Sequence, residues 1–260
     1  MPRISSPDNP RLKAAARLIA SSRERRKSGR CVLEGEHLVD VYLRRYGPPE
    51  TMLVAESAVE RPDVRALAAR VPASRMLVVG EAAWTGFAQL PSAVGVLAVV
   101  AVPEPDTRRA ADLCVLLDGV QDPGNVGSIL RSAAAAGVMQ AWLSPQCAFA
   151  WSPKVLRAGQ GAHFHLAIFE EVDLAGWARG YRGKAVAMVA AGGEPLGRID
   201  LRGPIAIAIG SEGTGVSPAL AAAATLRATI PMPGGFESLN AAAAAAIALY
   251  ECVRQRSRRP

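Results

Sequence analysis

Five consecutive apolar residues, Leu113 to Leu117, run into Asp118 and a glycine-containing turn, and an alanine-rich helical stretch, SILRSAAAAG, follows at once. A strand without a polar position is one covered on both faces, which confines it to a parallel sheet flanked by helices. Apolar segments recur downstream at AWLS, HLAIF, KAVAMVA, PIAIAI and RATI, with helical patterns at PKVLRAG, LAGWARG, PALAAAA and SLNAAAAAAIALYECV. The second half is therefore expected to be an open, mainly parallel α/β sheet. In such sheets ligands sit beyond the carboxyl ends of the strands, so the loops that follow the strands are where function should lie.

The first half alternates in the same way through CVLEG, HLVDVYLRR, TMLVAES, RPDVRALAARV, MLVVG and GVLAVVAV, and reads as a separate α/β unit. Around VPEPDTRRA the pattern lapses, and Pro103, Pro105 and polar neighbours form a linker near residues 103–111. Two domains are expected, residues 1–106 and 107–260. At the start of the chain Asp8 or Asn9 is placed to cap a helix whose first position is Pro10, with Leu12, Ala15 or Ala16, and Ile19 on one face, running until Gly29.

Charge is distributed unevenly. Residues 1–30 hold nine Lys or Arg against Asp8 and Glu24, which equals the whole formal charge of +7 and leaves the remainder neutral in sum. A second basic cluster, Arg254 to Arg259, carries four arginines, so the body between the two ends is slightly acidic. A polyanion such as RNA is drawn to such ends through release of its counterions, whereas the bland reading is a solvated helix face. Only four of the 30 cations are lysine, so the arginine content also fits a genomic base-composition bias. The candidate RNA-facing residues are Arg11, Lys13, Arg17, Arg23, Arg25, Arg26 and Lys27.

Several classes are set aside. The longest apolar stretch, Ala241 to Tyr250, is half the roughly 20 residues a spanning helix needs, and the polar start has no signal-peptide core. A soluble cytoplasmic protein without a membrane partner is expected. Cys31, Cys114, Cys147 and Cys252 are too widely spaced for a zinc ligand set or a compact disulfide framework and read as buried free thiols. His163 and His165 read as an alternating pair on one strand, and no metal is expected.

Three loops carry chemistry. In DGVQDPGNVGSILR, Gly124 and Gly127 turn a strand into a helix that Asn125 can cap, with Arg131 about two turns on. Taken alone this is an ordinary βα turn, since it has neither a phosphate-loop lysine nor the order of a dinucleotide fingerprint. In IAIAIGSEGTGVS, a buried strand ends at Gly210 and a loop of three glycines carries Glu212, which either orients a neighbouring amide or guanidinium or answers a surface cation. In TIPMPGGFESLNAAAAAAIALY, Pro231 and Pro233 stiffen the exit from a strand, and Ser238 begins a helix with Asn240 in its first turn. Ser238 is either part of a polar site or an N-cap alone.

In this order, these loops resemble the signatures of the SpoU, or TrmH-type, RNA ribose 2′-O-methyltransferases of the SPOUT superfamily. The first is carried by Asn125, Gly127 and Arg131, the second by Gly210, Glu212, Gly213 and Gly215, and the third by Ile230, Pro231, Met232, Glu237, Ser238, Leu239 and Asn240. NPRLKAAARL and CVLEGEHLV, with Glu34 and Gly35, are similar to that family's RNA-recognition domain, which resembles ribosomal protein L30e. One position departs: in RAGQGA, Arg157, Gly161 and Ala162 match, but Gly159 stands where the family has Ser.

The resemblance implies a C-terminal SPOUT domain tied in a deep trefoil knot, a fold that ordinary topology rules would not generate. It implies S-adenosylmethionine as methyl donor, S-adenosylhomocysteine as product, and donor contacts from Gly210, Ile230 and Leu239. It gives Arg131 the central catalytic place, oriented with the ribose by Asn125, Glu212, Ser238 and Asn240. A guanidinium stays protonated, so Arg131 is expected to stabilise the developing alkoxide electrostatically. Family members are homodimers whose last helix packs across the partner. The expected substrate is structured RNA, ribosomal before transfer RNA. The rivals are a noncatalytic RNA-binding or ribosome-assembly protein on the same fold and, more weakly, a nucleotide hydrolase.

Overall fold

The computed structural model describes residues 3–87, 95–107 and 112–257. The expected linker therefore lies partly outside the described residues, at 108–111, as do Arg258 and Arg259 of the basic tail. Residues 104–106 are without regular structure.

In chain order the first half contains β1 (Arg3–Ile4), α1 (Pro10–Ala20), α2 (Ser22–Ser28), β2 (Arg30–Glu34), α3 (Glu36–Tyr46), β3 (Thr51–Ala55), α4 (Pro62–Ala68), β4 (Met76–Val79), α5 (Glu81–Phe87) and β5 (Val96–Ala101). The second contains β6 (Leu113–Asp118), α6 (Pro123–Ala135), β7 (Gln140–Leu143), α7 (Pro153–Gly159), β8 (Ala167–Phe169), α8 (Leu174–Gly180), β9 (Lys184–Met188), β10 (Glu194–Pro195), β11 (Ile205–Gly210), α9 (Pro218–Ala223), β12 (Leu226–Thr229) and α10 (Ala241–Ser257). The alternation read from the sequence is thus realised in mixed α/β form.

These elements divide into two compact units. One holds the described residues up to Pro103 together with Trp151–Phe164, and the other holds the rest of the second half. In the first unit the strand order is β1-β4-β3-β5-β2, with β1, β4 and β3 parallel and β5 antiparallel to both β3 and β2.

The basic N-terminal helix differs from expectation. Asn9 caps α1 by accepting from the Arg11 amide at 2.9 Å, but the helix stops at Ser21, whose φ and ψ of −122° and 116° are extended. Ser21 then caps α2 by accepting from the Glu24 amide at 3.2 Å, and Gly29 ends α2 at φ 63°. Arg25 explains the break. Its guanidinium donates to the carbonyls of Leu18 and Ile19, the groups that a helix end leaves without partners, and it is only 5% exposed. Arg25 is therefore removed from the RNA-facing set, because it is spent inside the fold. Arg11, Lys13, Arg17, Arg23, Arg26 and Lys27 are exposed, with Lys13 paired to Asp8 at 2.8 Å.

Helix α7 packs on β2 within this unit. Glu34, with a side chain only 3% exposed, accepts from Arg157 at 2.5 Å. Gln160 and Gly161 then adopt left-handed backbone, φ 48° and 87°, and turn the chain into a short 3-10 segment, Ala162–Phe164. The expected strand pairing of His163 with His165 is corrected by this turn: His163 is buried in the 3-10 segment and His165 is exposed.

In the second unit all seven strands are parallel, in the order β10-β12-β9-β11-β6-β7-β8. From β6 the chain steps outward to β7 and β8, crosses to β9 on the far side, and returns to insert β11 between β9 and β6. Gly210 and Asp118 end in register at adjacent strand ends, and the chain leaves them in opposite directions. This is the topological switch point at which an open parallel sheet forms its ligand crevice. The alternation of Ile and Ala in IAIAIG sets the two faces. Ala206 and Ala208 join Ala185, Ala187, Cys114 and Leu116 beneath α8 and α9, so Ile205, Ile207 and Ile209 point to the opposite face, where α10 packs on β11 and α6. Each fully buried isoleucine contributes about 1.5–3 kcal/mol.

Cys31, Cys114 and Cys252 are buried free thiols and Cys147 is half-buried. Burial pushes the thiols of Cys31 and Cys114 up to about 12 and that of Cys252 up to about 11. No helix among the described residues is long and apolar enough to cross a membrane.

Removing Arg157 leaves the Glu34 carboxylate buried without its cation. Because the arginine itself is half exposed, Arg157→Ala is expected to destabilise the first unit by about 1–3 kcal/mol, read as a lower urea midpoint at unchanged m-value. An unchanged midpoint would show that the pair contributes nothing to stability.

Candidate active site

The three loops that stood out in the sequence meet at the switch point. The first leaves β6. Asp118 accepts from the Ser217 amide at 2.8 Å through Oδ2, and Gly119, at φ 68°, turns the chain out of the strand. Helix α6 then starts with Pro123 in its first turn, and its cap is Asp122, which accepts from the Asn125 amide at 2.8 Å. This corrects the expectation that Asn125 caps the helix. Because Asp122 takes that role, the Asn125 side chain is left for another purpose.

The second loop leaves β11. Ser211 and Gly215 pair as a small antiparallel bridge, with amide-to-carbonyl distances of 3.1 and 2.9 Å, and the Ser211 and Thr214 hydroxyls lie 2.8 Å apart. Gly210 has no alternative here, because a Cβ at that position would fall 1.9 Å from the Gly215 carbonyl carbon. The hairpin carries Glu212 outward at its tip.

The third loop enters α10. Asn240 caps this helix, its Oδ1 accepting from the amides of Ala242 at 2.9 Å and Ala243 at 3.2 Å. The helix begins at Ala241, so Ser238 lies before it and is not the cap, and Asn240 sits at its boundary instead of in its first turn.

Asn125 joins all three. Its amide nitrogen donates to Glu212 Oε1, and its oxygen accepts from the Asn240 amide nitrogen at 3.0 Å. A side-chain amide between a carboxylate and a second amide has only one orientation that satisfies both, so the chain fixes the rotamers of Glu212, Asn125 and Asn240 together.

Gly210, Ile230, Leu239 and Ser238 line one cleft of about 410 Å³, together with the Ser211–Gly215 hairpin and Glu237. Met188, Val189 and Ala190, at the end of β9, complete its wall. These three were not singled out in the sequence, although a third strand end beside the crevice is what a parallel sheet supplies. Among the described residues no Lys, Arg or His lines the cleft, whereas Glu212 and Glu237 do. A space of this size, with backbone approached closely at Gly210 and carboxylates as the only charged groups among the described residues that line it, fits a nucleoside bearing a positive charge. The residues present therefore fit S-adenosylmethionine.

Arg131 is not part of this constellation. Six residues beyond Asn125, it points about 120° away around the helix. It is exposed, does not line the cleft, and has no hydrogen-bond partner among the described residues. The expectation that Asn125, Glu212, Ser238 and Asn240 orient it is not met by contacts within one chain. Among the described residues no group of three or more His, Cys, Asp or Glu gathers as a metal site would require.

Comparison with known proteins accords with this geometry. Residues 112–250 match the model of the SpoU rRNA Methylase family. The chain is 31% identical over 258 residues to the 23S rRNA (guanosine(2553)-2′-O)-methyltransferase RlmP of Bacillus subtilis, covering 96% of this chain and 98% of that protein. Among solved structures, an RNA 2′-O ribose methyltransferase superposes with a TM-score of 0.81 at 30% identity, over 97% of this chain and 98% of the other. The SpoU methyltransferase AviRb from Streptomyces viridochromogenes, solved in complex with AdoMet, gives 0.83 at 28% identity over 95% and 98%. A cleft walled by the Gly210 hairpin, the loop from Ile230 to Leu239 and the end of β9, tied to the first loop through Asn125, the signature residues that line it, and likeness along nearly the whole chain lead to one assignment: this chain belongs to the SpoU rRNA methylase family.

Proposed function

We propose that this chain transfers a methyl group from S-adenosylmethionine to a ribose 2′-hydroxyl of ribosomal RNA. The observation that carries this reading is the convergence of Gly210, Ile230 and Leu239 on one cleft, beside the Asn125–Glu212–Asn240 chain. S-adenosylmethionine, when bound, supplies an electrophilic methyl on a sulfonium. The Gly210–Gly215 backbone, Ile230 and Leu239 hold the donor, and Glu212 and Glu237 complement its charge. Ser238, on the cleft wall, and Asn125 and Asn240, at its edge, position the incoming ribose. Alignment of a hydroxyl within about 3–3.5 Å of its target carbon supplies much of the rate enhancement in such transfers.

Arg131 keeps the role of stabilising the alkoxide that develops as the hydroxyl attacks. Its exposed guanidinium, unspent on a protein partner, is suited to an RNA phosphate or a growing negative charge. The proton acceptor is left open in this reading. The chain acts as a homodimer through α10, which exposes Ile247 at 42% and Tyr250 at 69% on its outer side. Two large apolar side chains on one helix are a surface that a second copy would cover.

The division of labour follows the two units. Residues 1–106 form an L30e-like RNA-recognition domain, completed by Trp151–Phe164, and the rest of residues 107–260 forms the knotted SPOUT methyltransferase domain. Arg11, Lys13, Arg17, Arg23, Arg26 and Lys27 draw the RNA phosphates to the first unit. Work on ribosomal RNA assigns the protein to the cytoplasm.

Calorimetric titration with S-adenosylmethionine, joined to mapping of 2′-O-methyl positions in ribosomal RNA from cells with and without the gene, tests the whole reading. Saturable heat and one lost methyl position are expected, and absence of both would overturn it. Arg131→Ala is expected to keep donor affinity within about twofold while methylation falls by about two orders of magnitude or more; full activity would remove Arg131 from the mechanism. Charge reversal at Arg23 and Lys27 is expected to weaken RNA binding and flatten its salt dependence without changing donor affinity. An equal loss of donor binding would count against the division of labour.

A further inference from the structure

The loop that enters α10 carries the most exposed large apolar side chain among the described residues, Phe236 at 79%, with Leu239 at 40% three positions on. We propose that Phe236 is the platform on which the base of the methylated nucleotide stacks once that nucleotide is turned out of its RNA strand. The proposal rests on the methyltransferase reading above and adds to it a substrate-binding residue, which holds the base while the donor cleft holds the methyl group.

The chain builds this exposure locally. The Gly235 amide donates to the Met232 carbonyl at 3.1 Å and closes a turn whose inner positions are Pro233 and Gly234, and Gly235 itself sits at φ 71°. Phe236 leaves the turn with no ring partner among the described residues. Tyr46, the exposed tyrosine of α3, is different: it packs on Tyr42 and Phe164 with ring centroids 5.2 and 5.9 Å away. The fold thus gives the Phe236 ring neither burial nor a partner.

A single exposed apolar side chain is ordinary, but this one stands at the rim of the donor cleft. Met232, Glu237, Ser238 and Leu239 line that cleft and Phe236 does not, so its ring lies outside the space assigned to the donor. Two residues of chain span at most about 7 Å, which keeps Phe236 close to Ser238 on the cleft wall. In a nucleotide the base is carried by C1′, the carbon bonded to the C2′ that bears the reacting hydroxyl. A base resting on Phe236 brings its own ribose to Ser238 and the mouth of the cleft.

The chemistry of the ring selects the ligand. A phenyl group has no hydrogen-bonding atom and offers only a flat apolar face, which suits a base taken out of its stack and is tolerant of which base it is. Among the described residues no aromatic side chain lines the cleft, so Phe236 is the platform beside it. The adenine of the donor is the other flat ring in the reaction, but it belongs inside the cleft, from which Phe236 is absent.

The test maps the methylated nucleotide first, then uses an RNA fragment bearing it and the same fragment with that one base removed, the ribose and its 2′-hydroxyl being kept. Phe236→Ala is expected to lower kcat/KM on the intact fragment about tenfold or more, with S-adenosylmethionine affinity within about twofold and the sedimentation coefficient unchanged. Phe236→Trp, which restores an aromatic face, is expected to stay within about threefold of the unmutated chain. On the abasic fragment the unmutated chain and Phe236→Ala are expected to differ by less than about threefold, because the ring then has no base to hold. The position is exposed, so folding is not at stake, and equal Tm values check this. Equal kcat/KM of the two chains on the intact fragment overturns the proposal, as does a Phe236→Ala loss that persists undiminished on the abasic one. A loss of donor affinity would assign the ring to the adenine, and a changed sedimentation coefficient would assign it to a second copy of the chain; either result overturns the proposal. A chain that neither binds the donor nor methylates any RNA would defeat the methyltransferase reading itself, a result distinguishable from an active chain indifferent to Phe236.

Discussion

The side-chain amide of Asn125 stands between Glu212 and Asn240, and through it three loops spread over 115 residues of the chain take fixed positions relative to one another. Each partner would otherwise be an exposed polar residue at the end of a different element, free to sample several rotamers. A directional amide removes that freedom, because its donor and acceptor ends are not interchangeable. The surroundings support this arrangement at every step. Asp122 relieves Asn125 of capping, the Ser211–Gly215 bridge aims Glu212, and the cap of α10 fixes Asn240. A donor cleft whose walls come from separate strand ends needs such a tie, since nothing in a parallel sheet alone sets how its loops face each other.

Sheet order explains why these loops meet. Inserting β11 between β9 and β6 brings Gly210 alongside Asp118, although the two lie 92 positions apart in the chain. The central strands β6 and β11 are apolar up to the Asp118 and Gly210 that end them, so polar function is pushed to their ends. The small alanine face under α8 and α9 and the isoleucine face under α10 hold those ends in place. Stability is concentrated in the sheet and chemistry at its rim. Arg131 stands apart, exposed on α6 and outside the polar tie.

Much of this could be read before the structure because the chain announces it locally. Apolar runs specified buried strands, and β6, β9 and β11 fall where those runs are. The family resemblance grouped Gly210, Ile230 and Leu239, and they share one cleft. What escaped has a common cause, competition among neighbouring residues for one backbone role. Ser21 could continue a helix or cap the next one, and a buried Arg25 decided the matter by serving the carbonyls of Leu18 and Ile19. Asp122 and Asn125 were both eligible caps for α6, as Ser238 and Asn240 were for α10, and in each case the outcome determined which side chain was left for the site. The excursion of Trp151–Phe164 to the first unit, through Arg157 and the buried Glu34, has no signature in composition or periodicity.

The central claim is that a sulfonium nucleoside occupies the cleft formed by three strand-end loops. A crystal structure of the full chain grown with S-adenosylmethionine addresses it most directly. The account predicts density for the donor against the backbone of Gly210, Ile230 and Leu239, with the Asn125–Glu212–Asn240 hydrogen bonds intact beside its methyl group. Donor density at any other place on the molecule, or a cleft filled only by solvent at saturating concentration, would contradict it.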